Sequence, residues 1–129
     1  MISLISKWKL KNGCPVELVE ELKQLAHKVE ESEEGTLMYI VNLQAASPLG
    51  TDSNPVVPGP AEIPPEKQTE VIFIEAYRDA TAFNEHIKGQ VFTEFKNKTL
   101  KYFQPDPESK DWPLTETEFL TRQSDFIRQ

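Results

Sequence analysis

Residues 71–77 read Val71-Ile72-Phe73-Ile74-Glu75-Ala76-Tyr77, a β-forming run that is apolar at both alternating positions. Neighbouring side chains of a strand point to opposite faces of its sheet. The run therefore predicts a central strand, residues 70–77, that is covered on both faces. Glu75 is the acidic exception inside it.

Three elements are predicted before this strand. Residues 2–10 alternate between apolar and polar positions, as in a strand with one buried face. Asn12-Gly13-Cys14-Pro15 indicates a turn into a helix that ends before Gly35, and Pro15 suits the first helical position. That helix carries one apolar stripe, made of Leu18, Leu22, Leu25, Ala26 and Val29. Residues 36–43 form a second β-rich run.

Two elements are predicted after the central strand. A broken helix covers residues 80–87 and 90–103, with a break at Gly89. Residues 118–128 alternate as in a last, more exposed strand. The order β-α-β-β-α-β is typical of the ferredoxin-like α+β fold, in which two helices pack on one face of a four-stranded antiparallel sheet. Because the central strand needs cover on both faces, we expect a homodimer with its sheets face to face.

Size and composition favour one domain spanning residues 1–129, with a net charge of −7 that argues against a nucleic-acid partner. No apolar run is long enough to span a membrane, and no basic segment precedes the first apolar residues. The single cysteine, Cys14, cannot form an internal disulfide. We therefore expect a cytoplasmic protein that binds no membrane.

Two connecting segments exceed what the minimal fold needs. The first is an insertion at residues 44–68 that holds six of the ten prolines. It is either a partly disordered insertion or an ordered flap over a pocket or a partner subunit. The second, residues 105–113, is expected to be a stiff connection anchored by Trp112.

The two histidines differ in their predicted surroundings. His27 lies opposite the apolar stripe of the first helix, so we expect it at the surface. His86 follows Phe83 by three residues and precedes Ile87, so it borders the face that looks onto the sheet. It is either a hydrogen-bonded residue at the edge of the core or a donor or base toward a bound molecule.

Glu75 and Cys14 also allow two interpretations each. A buried carboxylate is costly unless it is paired, so Glu75 either has a structural partner such as an arginine or serves as a base. Cys14 lies near a helix start, where its thiol is either packed or capping, or has a lowered pKa.

The sequence lacks the motifs of the common nucleotide and metal enzymes: no glycine-rich phosphate loop, dinucleotide fingerprint, metal-binding histidine spacing or Gly-x-Ser-x-Gly turn. Aromatic residues are instead abundant where the helices meet the sheet. A subset of them is expected to line an apolar pocket suited to a flat aromatic molecule. The candidates for substrate binding are Phe73, Phe83, Phe92 and Phe95.

Three stretches together resemble the antibiotic biosynthesis monooxygenase family: the Gly-Thr-Leu-x-Tyr strand at 35–39, the strand at 71–79 with Glu75, and the helix at 82–95 with Glu-His before Phe-x-x-Phe. The resemblance implies a dimeric α+β barrel built from two ferredoxin-like subunits. Enzymes of the family oxygenate electron-rich aromatics or quinols with O₂ and without metal or flavin. By position, the resemblance implies His86, Tyr39 and Glu75 as the catalytic candidates, with Phe92 and Phe95 as pocket wall.

Two functions follow as hypotheses. The first is a cofactor-independent monooxygenase acting on a small aromatic or quinol, which requires a closed pocket of roughly a few hundred Å³ containing a base. The second is a non-catalytic dimeric protein, either small-molecule-binding or stress-related, on the same scaffold, which requires only a filled core.

Overall fold

A computed structural model describes residues 1–55 and 61–128, and its elements follow the expected order with one additional hairpin. The strands and helices are β1 (Ile2–Lys9), α1 (Val16–Ser32), β2 (Thr36–Asn42), β3 (Glu70–Tyr77), α2 (Ala80–Lys88), α3 (Gln90–Thr99), β4 (Pro105–Asp106), β5 (Ser109–Pro113) and β6 (Thr115–Leu120). β1, β2, β3 and β6 form one antiparallel sheet, as a ferredoxin-like α+β fold requires. No helix in the described part of the chain is both long and apolar enough to cross a membrane.

The sheet has the strand order β2-β3-β1-β6, so the apolar strand β3 is internal. The pairing register places several residues of the candidate functional site, described below, side by side. Glu75 lies opposite Tyr39 on β2 and Leu4 on β1, and Leu4 in turn lies opposite Phe119 on β6. One row further along, Phe73 is flanked by Val41 and Ser6.

The helices cover one face of the sheet. Leu4, Ser6 and Trp8 are buried on β1, and so are Val71, Phe73, Glu75 and Tyr77 on β3. The period of two predicted for β1 is therefore confirmed. On the uncovered face, Ile40, Ile74 and Ile5 lie side by side across β2, β3 and β1.

Each helix turns its predicted apolar stripe toward the sheet. Leu18, Leu22, Leu25 and Val29 of α1 are buried, whereas His27 on the opposite side of the helix is exposed. The side chain of Asp79 caps α2 by accepting the backbone N–H of Ala82, and Gly89 separates α2 from α3.

The expected last strand, residues 118–128, is wrong in its bounds, because β6 spans Thr115–Leu120 and residues 121–128 form no strand. The reason is the length of its partner. The pairing ends with Leu120 opposite Ser3, next to the first residue of β1, so nearly all of residues 121–128 extend past the end of that strand. The segment at 105–113 likewise contains the β4–β5 hairpin where a stiff connection was expected.

Of the insertion at 44–68, residues 56–60 lie outside the described residues. At its base, the side chain of Gln68 accepts the backbone N–H of Gln44 and donates to the carbonyls of Gln44 and Ile63. The backbone N–H of Cys14 donates to the carbonyl of Pro65, which ties the end of the insertion to the turn before α1. Burial raises the pKa of the Cys14 thiol, so this cysteine is a packed and weakly reactive residue.

Candidate functional site

His86 lies in an aromatic cluster between α2 and the sheet. Only 1% of its surface is exposed, although it is polar. Its ring centre lies 5.3 Å from that of Tyr39, 5.4 Å from that of Tyr77 and 5.2 Å from that of Phe92. A buried imidazole in such surroundings needs polar partners for its two nitrogens.

Glu33 is the partner of Nδ1. It follows the last residue of α1, where the chain turns toward β2, and its Oε1 lies 2.8 Å from His86 Nδ1. The hydroxyl of Thr36 donates to the same Oε1 over 2.8 Å. Since an ionised carboxylate only accepts hydrogen bonds, the proton of a neutral His86 resides on Nδ1 and the lone pair on Nε2.

Glu75 faces the other ring nitrogen. His86 Nε2 lies 3.9 Å from Glu75 Oε1, and the Tyr77 hydroxyl donates a hydrogen bond to the same oxygen. Burial raises the pKa of the Glu75 carboxyl, and the Tyr77 hydrogen bond opposes that rise. The hydrogen-bond partner of Glu75 is therefore the Tyr77 hydroxyl and not an arginine, the example expected from the sequence.

The two tyrosines of this cluster stay protonated. Burial, together with the Glu75 carboxylate, raises the pKa of both Tyr39 and Tyr77 above the ordinary value of 10.0. The Tyr77 hydroxyl is therefore a hydrogen-bond donor that stabilises the charged form of Glu75. The result is a chain of ionisable groups that runs from Glu33 through His86 to Glu75 and Tyr77.

A pocket of about 120 Å³ opens beside Glu75, between the sheet and the helices α2 and α3. Its residues are Leu4, Ser6, Trp8, Glu75, Phe83, Ile87, Phe92, Trp112, Thr115 and Thr117. Glu75, and not His86, is among these lining residues. The pocket is smaller than the few hundred Å³ expected of a monooxygenase site.

The floor of the pocket is polar and its roof is apolar. On the floor, the hydroxyls of Ser6 and Thr117 are hydrogen-bonded at 2.8 Å, and the indole N–H of Trp8 donates to Ser6 over 3.1 Å. The roof consists of four large side chains, Phe83, Ile87, Phe92 and Trp112. Such a mixture suits a flat ring that carries hydroxyl groups.

A second, wider depression of about 780 Å³ lies near the end of α1, and Glu33 is one of its lining residues. It is open to solvent, and Arg78 and several glutamates, including Glu31, Glu85 and Glu94, dominate its lining. Such walls do not suit an apolar ring. Within residues 1–55 and 61–128, no three His, Cys, Asp or Glu side chains are grouped so as to hold a metal ion.

The predicted site residues fall into two groups in the structure. His86, Tyr39 and Glu75 lie together, and Phe83 and Phe92 line the pocket. The remaining two phenylalanines are core residues beside Trp8, whose ring centre lies 5.0 Å from that of Phe73 and 5.9 Å from that of Phe95.

Sequence reasoning missed Glu33, Tyr77, Ser6 and Thr117 as members of the site. For Tyr77 a signal exists, because it follows Glu75 by two residues on one strand and so shares its face. For Glu33 there is none. It stands in an acidic stretch, residues 30–34, whose pattern does not indicate which carboxylate turns inward.

The comparison with known proteins agrees with this architecture. The antibiotic biosynthesis monooxygenase family matches residues 1–98 of the chain. No curated protein sequence matches the chain significantly.

Solved structures share the fold over nearly the whole chain. PA3566 from Pseudomonas aeruginosa is 20% identical, with a TM-score of 0.60 over 95% of this chain and 94% of that one. A variant of SnoaB, a cofactor-independent oxygenase from Streptomyces nogalater, is 10% identical, with a TM-score of 0.57 over 98% and 97% of the two chains. With the match over residues 1–98, the chain belongs to the antibiotic biosynthesis monooxygenase family.

Proposed function

We propose that this protein is a monooxygenase that oxidises a small hydroxylated aromatic or quinol ring with O₂ and without a bound cofactor. The observation that carries the proposal is the position of Glu75. Its buried carboxylate accepts a hydrogen bond from Tyr77, lies 3.9 Å from His86 Nε2 and lines an apolar pocket of about 120 Å³. A base beside a pocket of low polarity is what the deprotonation of a ring hydroxyl requires.

In the proposed reaction, Glu75 takes the proton of a ring hydroxyl and the ring anion passes one electron to O₂. The ring radical and superoxide combine, which forms a carbon–oxygen bond. The same ring carbon then loses its hydrogen as a proton while the O–O bond breaks, so that a carbonyl forms and the outer oxygen leaves as water. One phenolic ring and one O₂ give one quinone and one water, and the ring supplies all four electrons.

The raised pKa of Glu75 suits both proton transfers of this scheme. A carboxylate whose pKa lies closer to neutrality is a stronger base, and its acid form can return the proton to the departing oxygen. His86 Nε2 faces Glu75 and can share that proton, while Glu33 holds the imidazole from the opposite side. In this proposal Tyr39 closes the aromatic wall around His86.

The functional unit that we propose is a homodimer. Its support is the uncovered face of the sheet, where Ile5, Ile40 and Ile74 form a continuous apolar row across three strands. Ile40 is 44% exposed in the single chain. A second copy of the same sheet would remove this row from water.

The second candidate function is a non-catalytic small-molecule-binding protein, and the small volume of the pocket favours it. The test that separates the two is oxygen uptake by purified, metal-free protein with hydroquinones and phenols. The first function predicts uptake that falls about a hundredfold in His86→Ala and Glu75→Gln. Ligand binding without any oxygen uptake would instead establish the second function.

A further inference from the structure

We infer that the pocket admits a single six-membered aromatic ring bearing hydroxyl groups, and that Trp112 is the residue that sets this limit. The inference rests on the proposed function in that it names the substrate class of the same pocket. It adds a size limit and a specificity-determining residue, and it can be tested by binding alone.

The volume of the pocket suits one aromatic ring. A cavity of roughly 150 Å³ is known to hold one benzene molecule. The pocket between the sheet and the helices measures about 120 Å³. One ring fills that space, whereas a second fused ring adds four carbon atoms to the six of the first and extends beyond the pocket.

Trp112 is held in place by contacts with α3. It lies on β5 of the hairpin that follows α3, and its ring centre lies 5.7 Å from that of Phe92. The ammonium group of Lys96 lies 4.5 Å from the centre of the Trp112 ring and donates to the carbonyl of Asp111 over 3.1 Å. Trp112 therefore contacts α3 through both Phe92 and Lys96, so a larger ligand does not easily displace it.

The floor of the pocket is polar, because Ser6 and Thr117 carry hydroxyl groups there. Glu75 and Ser6 are both buried, and both residues line this pocket. Ser6 already accepts the indole N–H of Trp8 and shares a hydrogen bond with Thr117. If Ser6 donates in that pair, the Thr117 hydroxyl keeps a hydrogen for a ligand oxygen. A ring with hydroxyl substituents can accept that hydrogen and can donate to Glu75, whereas a bare hydrocarbon does neither.

The test measures binding of 4-fluorophenol and of a fluorinated naphthol by fluorine NMR, under nitrogen so that no oxidation occurs. The full chain is expected to bind the phenol and to bind the naphthol at least about tenfold more weakly. Trp112→Ala is expected to remove that difference by opening the roof. Because Trp112 is 36% exposed, its truncation is tolerable for folding, and Trp112→Leu serves as a second, less drastic variant.

Phe126→Ala is the matched control, since Phe126 is an exposed aromatic residue outside the pocket. It should leave both affinities unchanged. The inference is overturned if the unaltered protein binds the naphthol as tightly as the phenol, if it binds neither, or if both Trp112 variants keep the original preference. Size-selective binding without oxygen uptake would uphold this inference while refuting the monooxygenase proposal.

Discussion

The Nδ1 atom of His86 lies 2.8 Å from Oε1 of Glu33, although 53 positions separate the two residues in the chain. The contact joins the end of α1 to the inner face of α2, and Thr36 supports it by donating to the same oxygen. It fixes which nitrogen of His86 carries the proton and leaves Nε2 turned toward Glu75. Glu33 is therefore a positioning residue in the proposed reaction.

Glu33→Gln should lower the turnover number about tenfold or more while the Michaelis constant changes little, because an amide can also donate and no longer selects one tautomer. Nitrogen NMR of the His86 ring should show a mixture of tautomers in place of a single one. Glu34→Gln is the matched control, since that neighbouring carboxylate is exposed. A Glu33→Gln variant with the tautomer and turnover of the unaltered protein would refute the role.

Glu75 should give the protein a distinctive pH dependence of stability. Its pKa in the folded state is raised above the ordinary value of 4.5, so folding favours the protonated form. This contribution is fully present below pH 4.5 and is lost as the pH rises through the raised pKa. The free energy of unfolding should therefore fall with rising pH in that interval, and Glu75→Gln should remove this part of the slope.

Urea unfolding of both proteins at a series of pH values above 4.5 measures the effect. Glu108→Gln, which removes an exposed carboxylate in the turn between β4 and β5, is the control and should keep the original slope. Identical slopes for the unaltered protein and Glu75→Gln would show that the carboxyl is not perturbed.

The long insertion should be separable into a dispensable part and a structural base. Ala45 and Glu62 form an isolated antiparallel bridge, so an Asn-Gly turn can replace residues 46–61 without moving the chain ends. That variant should melt within a few degrees of the unaltered protein. Extending the replacement to residue 66 removes the carbonyl that accepts the N–H of buried Cys14, and should cost about 2 kcal/mol.

Thermal melts of the two replacement variants check this prediction. Equal stability of the shorter and longer replacements would mean that the contacts around Pro65 do not support the fold. Unfolding of the shorter one would mean that residues 46–61 are themselves structural.

The uncovered sheet face should determine the oligomeric state. The proposed dimer has about twice the 14.8 kDa of one chain, and sedimentation at micromolar concentration measures it. Ile40→Lys should give a folded monomer, because it places a charge in the apolar row. Leu37→Lys is the control, because Leu37 is also exposed on β2 but neighbours the irregularity after Thr36 instead of lying in that row. A monomeric unaltered protein would refute the dimer.

The fold could be predicted from the sequence because short, periodic patterns of apolar residues indicate its strands and helices. The apolar run at residues 71–77 identifies β3 as an internal strand, and the stripe on α1 identifies its buried face. The end of β6 was not predictable in this way, because it depends on where its partner strand β1 begins. Within the site, Glu75 was conspicuous as an acid in an apolar strand, whereas Glu33 acquires its role only through a tertiary contact.

As the proposed monooxygenase, the protein inserts one oxygen atom of O₂ into a hydroxylated ring. Mass spectrometry of the product formed under oxygen-18 gas tests this most directly, with hydroquinone as substrate. We expect a hydroxyquinone that carries one labelled oxygen, formed about a hundredfold more slowly by Glu75→Gln. An unlabelled quinone accompanied by labelled hydrogen peroxide, or no product above the uncatalysed rate, would contradict it.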